Sequence, residues 1–283
     1  MILITGSSGF IGTNLVKYFI SKKINFHAVD KRKNIYLKFR NFTKLDLSNK
    51  KKIIKLFNKV KPKIVIHLAA ISGVNMCNKN NNLAYKDNVE ATFNLLMASK
   101  KLKCKKVLLA SSFAVDKFDT NPSFYAYTKK TCEDMAKIFK NNYDLDISIM
   151  RFSNVYGPHS LHKTSAIHQM FQCLKNNRLF YIHGTGKQLR DFIYVEDLIK
   201  KINKIVKRSH NRTFYNINTN KKNSINQIVR LLNTFSEKIL KIKHIKAPAG
   251  YDVSFSNTAK VRKNPYLALN LKKTFNWYNS KKL

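Results

Sequence analysis

The chain has 283 residues, 44% of them hydrophobic and 12% aromatic, with only 8 Gly and 5 Pro. That composition supports a sizeable core and excludes collagen-like, low-complexity and wholly disordered chains, while the length allows one large domain or one domain with a smaller second lobe. The formal charge of +39 can draw a protein to nucleic acid, anionic membrane or phosphorylated ligands, but the basic residues are mostly scattered Lys and Arg occurs only nine times, so the expected effect is faster capture of an anionic ligand and nucleic acid is not an expected partner.

Apolar runs of strand length alternate with segments of helical periodicity from the first residue onward, which is the rhythm of βαβ units and a parallel sheet. Strands are predicted at Met1 to Thr5, Asn25 to Asp30, Lys63 to Ala69, Lys106 to Ser111 and Asp146 to Phe152. Helices are predicted between them near 10–22, 49–60, 83–101 and 125–142, with a loop at Asn78 to Asn82. The strands are continuous apolar runs, so the sheet should be buried on both faces. After Asn154-Val155-Tyr156-Gly157-Pro158 the pattern loosens into a second lobe. That lobe should hold a helix near 164–177, a strand at Leu179 to His183, helices over Val195 to Arg208 and Ser224 to Phe235, and a C-terminal helix ending around Trp277. A strand at Thr213 to Asn218 is expected to return to the main sheet.

No stretch approaches the ~18 apolar residues of a membrane helix, and Met1 to Gly6 lacks the basic start of a signal peptide, so no membrane association and a cytoplasmic location are expected. Cys77, Cys104, Cys132 and Cys173 form no Cys-x-x-Cys pair and should be reduced and inert. His159, His162 and His168 have no carboxylate or Cys among them at ligand spacing, so no metal is expected.

Gly6-Ser7-Ser8-Gly9-Phe10-Ile11-Gly12 follows a strand and opens a helix. A tight turn needs glycine, a pyrophosphate must approach bare backbone, and the helix N-terminus offers free N–H groups. Asp30 ends the second strand, about 20 residues after the turn, where a carboxylate accepts ribose hydroxyls and repels a 2′-phosphate; this favours NAD over NADP. The adjacent Lys31, Arg32 and Lys33 pull the other way. Asp46 is a further acceptor on the adenine side.

Tyr125 and Lys129 lie four apart on one helix face. A phenol with a pKa near ~10 is a poor base at neutral pH, but an adjacent ammonium and a nicotinamide cation both favour the phenolate, which can then take a hydroxyl proton as hydride leaves the same carbon. Ser111-Ser112 ends the preceding strand, thirteen residues before Tyr125, at the edge where ligands of open α/β sheets bind.

These segments, with Val115 after Ser111-Ser112 and Glu133 after Tyr125 to Lys129, together with His67-Leu68-Ala69-Ala70, Asp46-Leu47, Asn88-Val89, Arg151 to Pro158 and Arg190-Asp191-Phe192-Ile193-Tyr194-Val195-Glu196-Asp197-Leu198, run in one order over most of the chain. In that order the chain resembles the extended short-chain dehydrogenase/reductases, specifically the NAD-dependent epimerase/dehydratase family acting on nucleotide sugars. The resemblance implies an α/β fold, a Rossmann-like doubly wound parallel sheet with a smaller C-terminal α+β substrate lobe. It would divide into an NAD-binding domain over residues 1–156 and a mainly substrate-binding lobe over 157–283. It implies Ser112, Tyr125 and Lys129 as the catalytic triad. Gly6, Ser8, Gly9, Phe10, Ile11, Gly12, Asp30, Asp46, Leu47, Leu68, Ala69, Ala70, Asn88, Ser111, Tyr125 and Lys129 would hold NAD. Ser112, Asn154 and Arg190 would hold the nucleotide sugar, and a homodimer would form through the helices near 83–101 and 125–142.

Family dehydratases resemble one another in an Asp-Glu pair beside the catalytic hydroxyl, where this chain has Phe113-Ala114; the Glu that related decarboxylases carry near that place is also missing. The expected activity is therefore epimerisation of a nucleotide sugar, at C4, by oxidation and re-reduction from the other face. The rivals are an NAD(P)-dependent keto-sugar reductase and a catalytically silent NAD-binding protein with a basic surface for RNA or an acidic partner. Two departures from the family stand out: the loop Asp116 to Ser123 is short, and near Ala247 to Asp252 Lys243 and Lys246 stand where a second diphosphate-binding Arg is usual.

Overall fold

The computed structural model describes residues 1–208, 212–247 and 265–280. Along the chain run β1 (Ile2–Thr5), α1 (Phe10–Ser21), β2 (Phe26–Asp30), β3 (Phe42–Lys44), α2 (Lys50–Val60), β4 (Ile64–His67), α3 (Val74–Lys79), α4 (Asn81–Tyr85), a π-turn (Lys86–Glu90) and α5 (Ala91–Lys101). Next come β5 (Lys106–Ser112), a 3₁₀ turn (Phe113–Lys117), α6 (Phe124–Tyr143), β6 (Ile147–Phe152), β7 (Asn154–Tyr156), α7 (Ala166–Lys175), β8 (Phe180–His183) and β9 (Leu189–Tyr194). The last elements are α8 (Val195–Val206), β10 (Phe214–Ile217), β11 (Lys222–Ser224), α9 (Ile225–Asn233), β12 (Ile242–Ile245) and α10 (Leu267–Asn279). Two compact units result: Met1–Phe152 with the described part of Ile199–Ile217, and Ser153–Leu198 with the described residues from Asn218 onward.

The first unit is a seven-stranded sheet in the order β10-β6-β5-β4-β1-β2-β3, with every pairing parallel. From β1 the chain winds outward through β2 and β3, then returns to β4 on the other side of β1 and winds the opposite way. The order therefore reverses between β1 and β4, and the carboxyl ends there, Thr5 and His67, are register partners. Such a reversal opens a crevice for a ligand at the strand ends. Alternation along the strands sends Leu3, Val65 and Val107 to one face, where they meet Phe57 of α2, Leu95 of α5 and Phe139 of α6. Ile4, Ile66 and Leu108, also buried, belong to the other face. There α1 and α8 lie together, with Asn203 Nδ2 donating to the Tyr18 hydroxyl at 3.3 Å. Burial on both faces agrees with the unbroken apolar runs of these strands.

The helix ends follow local chemistry. Asn49 caps α2 by accepting from Lys52 N, Ser123 caps α6 by accepting from Ala126 N, and Ser224 and Gln227 form a reciprocal capping box on α9. The second unit holds a three-stranded sheet in the order β11-β9-β7 and a pair β12-β8, over a core that includes Tyr156, Phe171, Phe192, Leu232 and Tyr278.

The structure corrects three expectations of secondary structure. The helix expected over 83–101 is broken by the π-turn Lys86–Glu90. The extra residue of the wider turn goes with an inward Asn88, whose amide bonds to Ile71 and Thr128. The stretch Asn78 to Asn82 is not a loop: α3 ends in it, and Asn80 caps α4 by accepting from Leu83 N at 2.8 Å. Strands β3, β7, β11 and β12 carry no hydrophobic run that would announce them and are paired along a partner strand, while β9, whose Phe192-Ile193-Tyr194 is buried, is a strand the sequence reading did not predict.

Candidate active site

Gly6 leaves β1 at φ +68°, and a Cβ on it would lie 2.5 Å from Ala69 N. A Cβ on Gly12 would lie 2.0 Å from the Gly6 carbonyl oxygen. The turn is thus wound against its own helix and against the end of β4, as close backbone approach requires. No side chain caps α1 at Gly9, so the first N–H groups of that helix suit an anion.

Asp30 is tied to this turn: its Oδ2 accepts from Ser8 N and its Oδ1 from Arg32 N, each at 3.0 Å. A carboxylate has about four lone-pair sites, so Asp30 keeps capacity for hydroxyl donors. Ser8 Oγ donates to the Arg32 carbonyl at 2.7 Å. Sequence reasoning missed Asn34, whose Nδ2 donates to Ser7 O and Thr13 Oγ1 while its Oδ1 accepts from Tyr36 N and Leu37 N. It fastens the segment after β2 to the glycine turn, and no pattern in the sequence marks it.

Lys31 does not extend a free cation beside Asp30. Its Nζ bridges Asp87 at 2.5 Å and Asp46 at 3.1 Å. Burial opposes the charged form of Lys31, but the two carboxylates outweigh it and raise the ammonium above its ordinary range. Burial also opposes the Asp46 carboxylate, yet bonds from Ser48 and Lys31 hold it below the usual range. Leu47 points into the core beside Val29 and Ile53. Leu68 and Ala69 are half-buried, with their N–H groups on Thr5 O and Thr5 Oγ1, and Ala70 beside them is half-buried too. The side-chain amide of Asn88 bonds Ile71 and Thr128 and so ties the chain beyond β4 to α6.

At the end of β5 the three predicted catalytic residues converge. Tyr125 shares a hydrogen bond with the Ser112 side chain. Ser112 Oγ also accepts from Ala114 N at 3.2 Å. Lys129 is buried and its Nζ donates to the Ala110 carbonyl at 2.9 Å. Ser111 turns away from them, its Oγ donating to the buried Glu133 at 2.5 Å.

Within the polypeptide itself, burial outweighs what favours the phenolate. Burial pushes Tyr125 up to about 12 despite the Ser112 hydrogen bond. Burial also pulls the Lys129 ammonium down, against the opposing influence of Cys132, Cys77 and Glu133. His67 is buried between Thr5 Oγ1 at 2.6 Å and Thr92 Oγ1 at 3.1 Å. Burial, with Lys129 nearby, brings it down to about 3, so it is a neutral strut.

In the second unit Asn154 is exposed on β7, its Nδ2 donating to the Asp191 carbonyl at 3.1 Å. Arg190 stands on β9, the central strand, with Nη1 donating to Leu189 O at 2.9 Å. Asp191 was not foreseen as a site residue. It is buried, and its carboxylate accepts from Ser153 Oγ, Thr219 N, Thr219 Oγ1 and Lys221 N. It thereby braces the strands carrying Asn154 and Arg190. Lys243 and Lys246 are exposed, and the stretch beyond them, from 248 through Asp252, lies outside the described residues.

Residues 2–218 match the model of the NAD dependent epimerase/dehydratase family. The chain belongs to that family. Among relatives, "Protein CapI" of Staphylococcus aureus is 31% identical over 73% of this chain and 69% of its own length. The UDP-glucuronate 4-epimerase of Thermodesulfobacterium geofontis is 29% identical over 97% of this chain and 95% of its own. Among solved structures, the UDP-glucuronic acid 4-epimerase of Bacillus cereus, in complex with UDP-glucuronic acid and NAD, superposes with a TM-score of 0.84 at 25% identity, covering 98% of both chains. NAD is the cofactor of this epimerase/dehydratase family, and the observed turn fits it: a glycine cradle that a Cβ would fill, an uncapped helix start and a carboxylate at the end of β2. No helix among the described residues is long and apolar enough to cross a membrane.

Proposed function

We propose that this member of the family is a nucleotide-sugar 4-epimerase, with a UDP-sugar as the substrate favoured by its relatives' chemistry. The observation that carries this reading is the convergence of Ser112, Tyr125 and Lys129 at the end of β5, beside Phe113 and Ala114, which offer no acid or base for eliminating water. NAD, when bound, supplies the hydride acceptor and donor. Tyr125 takes the proton of the sugar hydroxyl as the carbon is oxidised and returns it on re-reduction. Ser112 holds the same oxygen, and Lys129 orients the nicotinamide ribose. Asn154 and the guanidinium of Arg190 hold the sugar nucleotide, Arg190 at its diphosphate. The backbone of the glycine turn takes the pyrophosphate of NAD, and Asp30 takes the adenosine ribose. Lys31, neutralised by Asp46 and Asp87, leaves the NAD preference of Asp30 intact.

The test is incubation of the purified protein with UDP-glucuronate, UDP-glucose and UDP-N-acetylglucosamine, without added cofactor. The expected result is the 4-epimer of one of them with no accumulation of NADH. A strict requirement for added reduced cofactor overturns the epimerase in favour of a reductase. We also propose a homodimer, since Leu83, Tyr85, Phe93, Tyr127, Ile138 and Tyr143 on and around α4 to α6 are exposed. Sedimentation of the same preparation as a monomer would remove it.

Asp30→Ala is expected to weaken NAD by ~10-fold or more and to bring the NAD and NADP dissociation constants together. Titration of both cofactors checks this, and an unchanged ratio would take Asp30 out of ribose recognition.

A further inference from the structure

α6 places Tyr125, Lys129 and Glu133 at successive fourth positions, on one helix face. Each engages one of the last three residues of β5: Tyr125 the Ser112 side chain, Lys129 the Ala110 carbonyl, and Glu133 the Ser111 hydroxyl. Glu133 is wholly buried. Arg151 of β6, the register partner of Ser111, grips it with a fork: Nε to Oε1 at 2.9 Å and Nη2 to Oε2 at 2.5 Å. The remaining nitrogen, Nη1, donates at 2.6 Å to Asp116, in the 3₁₀ turn that directly follows Ser112. The guanidinium lies 4.8 Å from the ring of Phe214 on β10. One carboxylate and one guanidinium thus join α6, β5, β6 and the turn bearing the site's rim.

Burying an ion pair costs several kcal/mol in desolvation, and well-packed apolar residues commonly hold a fold as well or better. Stability alone therefore gives no reason for a charge at this place. A carboxylate one turn from Lys129 does what an apolar residue cannot: it opposes the loss of the ammonium's proton. We propose that Glu133, gripped by Arg151, is the positioning residue of this active site, fixing the end of β5 that presents Ser112 to Tyr125 and supplying the negative charge that faces Lys129. The proposal rests on the catalytic reading of Ser112, Tyr125 and Lys129.

The groups around Lys129 leave that electrostatic part to Glu133. Burial raises the thiols of Cys77, on α3, and Cys132, on α6, and the Tyr125 phenol is pushed up to about 12, so all three are neutral at pH 7. His67 of β4, at about 3, is neutral as well. Asp116 faces Arg151 and Glu133, and burial raises its carboxyl despite Arg151. Asp134, on the other side of Glu133 in sequence, bonds Lys130 and Lys137.

The test is a pH titration of the Lys129 ¹³Cε signal by NMR in the full chain, assigned by its disappearance in Lys129→Arg. Glu133→Gln, nearly isosteric, is expected to lower the Lys129 midpoint by about 1 pH unit or more, and Glu133→Asp, which keeps the charge, to restore most of it. With UDP-glucuronate as probe, Glu133→Gln should lower kcat ~10-fold or more with KM within about twofold. If Glu133→Gln does not fold, Glu133→Gln with Arg151→Met removes the pair at conserved volume and should still lower the midpoint, but by less, because the opposing charge of the guanidinium leaves with the carboxylate. An unmoved Lys129 midpoint in a folded variant, or a fall that Glu133→Asp does not reverse, overturns the proposal. Failure of the wild type to epimerise any UDP-sugar counts against the functional reading and leaves the titration to decide the role of Glu133.

Discussion

Tyr125→Phe is expected to lower epimerase turnover by ~10²-fold or more while leaving NAD affinity within about twofold. The substitution removes one oxygen, the atom that shares a hydrogen bond with Ser112. The ring stays, so packing and the α6 backbone should be unchanged. Because burial pushes the Tyr125 pKa up to about 12, only about 10⁻⁵ of the phenol is ionised at neutral pH in the polypeptide itself. The phenolate favours proton removal and grows with pH below that pKa, so wild-type turnover should rise between about pH 6 and about pH 9. That rise should flatten in Tyr125→Phe, which has no proton acceptor to titrate. Initial rates on a UDP-sugar across that range, with NAD binding followed by calorimetric titration, check both parts. Ordinary activity in the variant would refute the role of Tyr125. Equal losses of activity and NAD binding would instead make the residue a cofactor contact.

Much of this site was legible in the sequence because its parts are local. The glycine turn carries its own meaning, since Gly6 and Gly12 are each pressed against backbone that a side chain would strike. Tyr125 and Lys129 share a helix face by spacing alone. The βαβ rhythm reflects strands buried on both faces, which write themselves as apolar runs. What was not legible depends on partners distant along the chain. Lys31 looked like an invitation to a 2′-phosphate until Asp46 and Asp87 came to meet it. The bonds of Asn88 to Ile71 and Thr128 cross a π-turn that no periodicity announces. Glu133 and Arg151 are eighteen positions apart and meet only because α6 folds back over β5 and β6. Asp191 braces Asn154 through bonds to residues as far away as Thr219 and Lys221. The short strands β7, β11 and β12 of the second unit fall in the same class, each paired along a partner strand.

Gly12→Ala is expected to reduce NAD affinity by ~10²-fold or more and to destabilise the chain by ~1–3 kcal/mol, the range for forcing extra volume into packed structure. The added Cβ would sit 2.0 Å from the Gly6 carbonyl oxygen, 2.7 Å from Ser7 Cα and 2.8 Å from the Gly6 carbonyl carbon. All three are backbone atoms, so no side chain can swing aside, and relief requires the turn to move away from α1. That movement would carry the Gly6 and Ser7 peptides off the helix N-terminus, the place where backbone N–H groups and the helix dipole receive a pyrophosphate. Gly9→Ala is the matched control. Gly9 has ordinary extended angles, φ −74° and ψ 176°, and a Cβ there meets only the Gly6 carbonyl oxygen at 3.3 Å. Its variant should fold normally and lose NAD affinity by less than ~10-fold, because the turn keeps its shape. Calorimetric titration with NAD, alongside thermal unfolding of both variants, separates the two. If Gly12→Ala bound NAD as tightly as Gly9→Ala, the close approach of the turn to α1 would have no part in holding the cofactor, and the pyrophosphate would have to lie elsewhere.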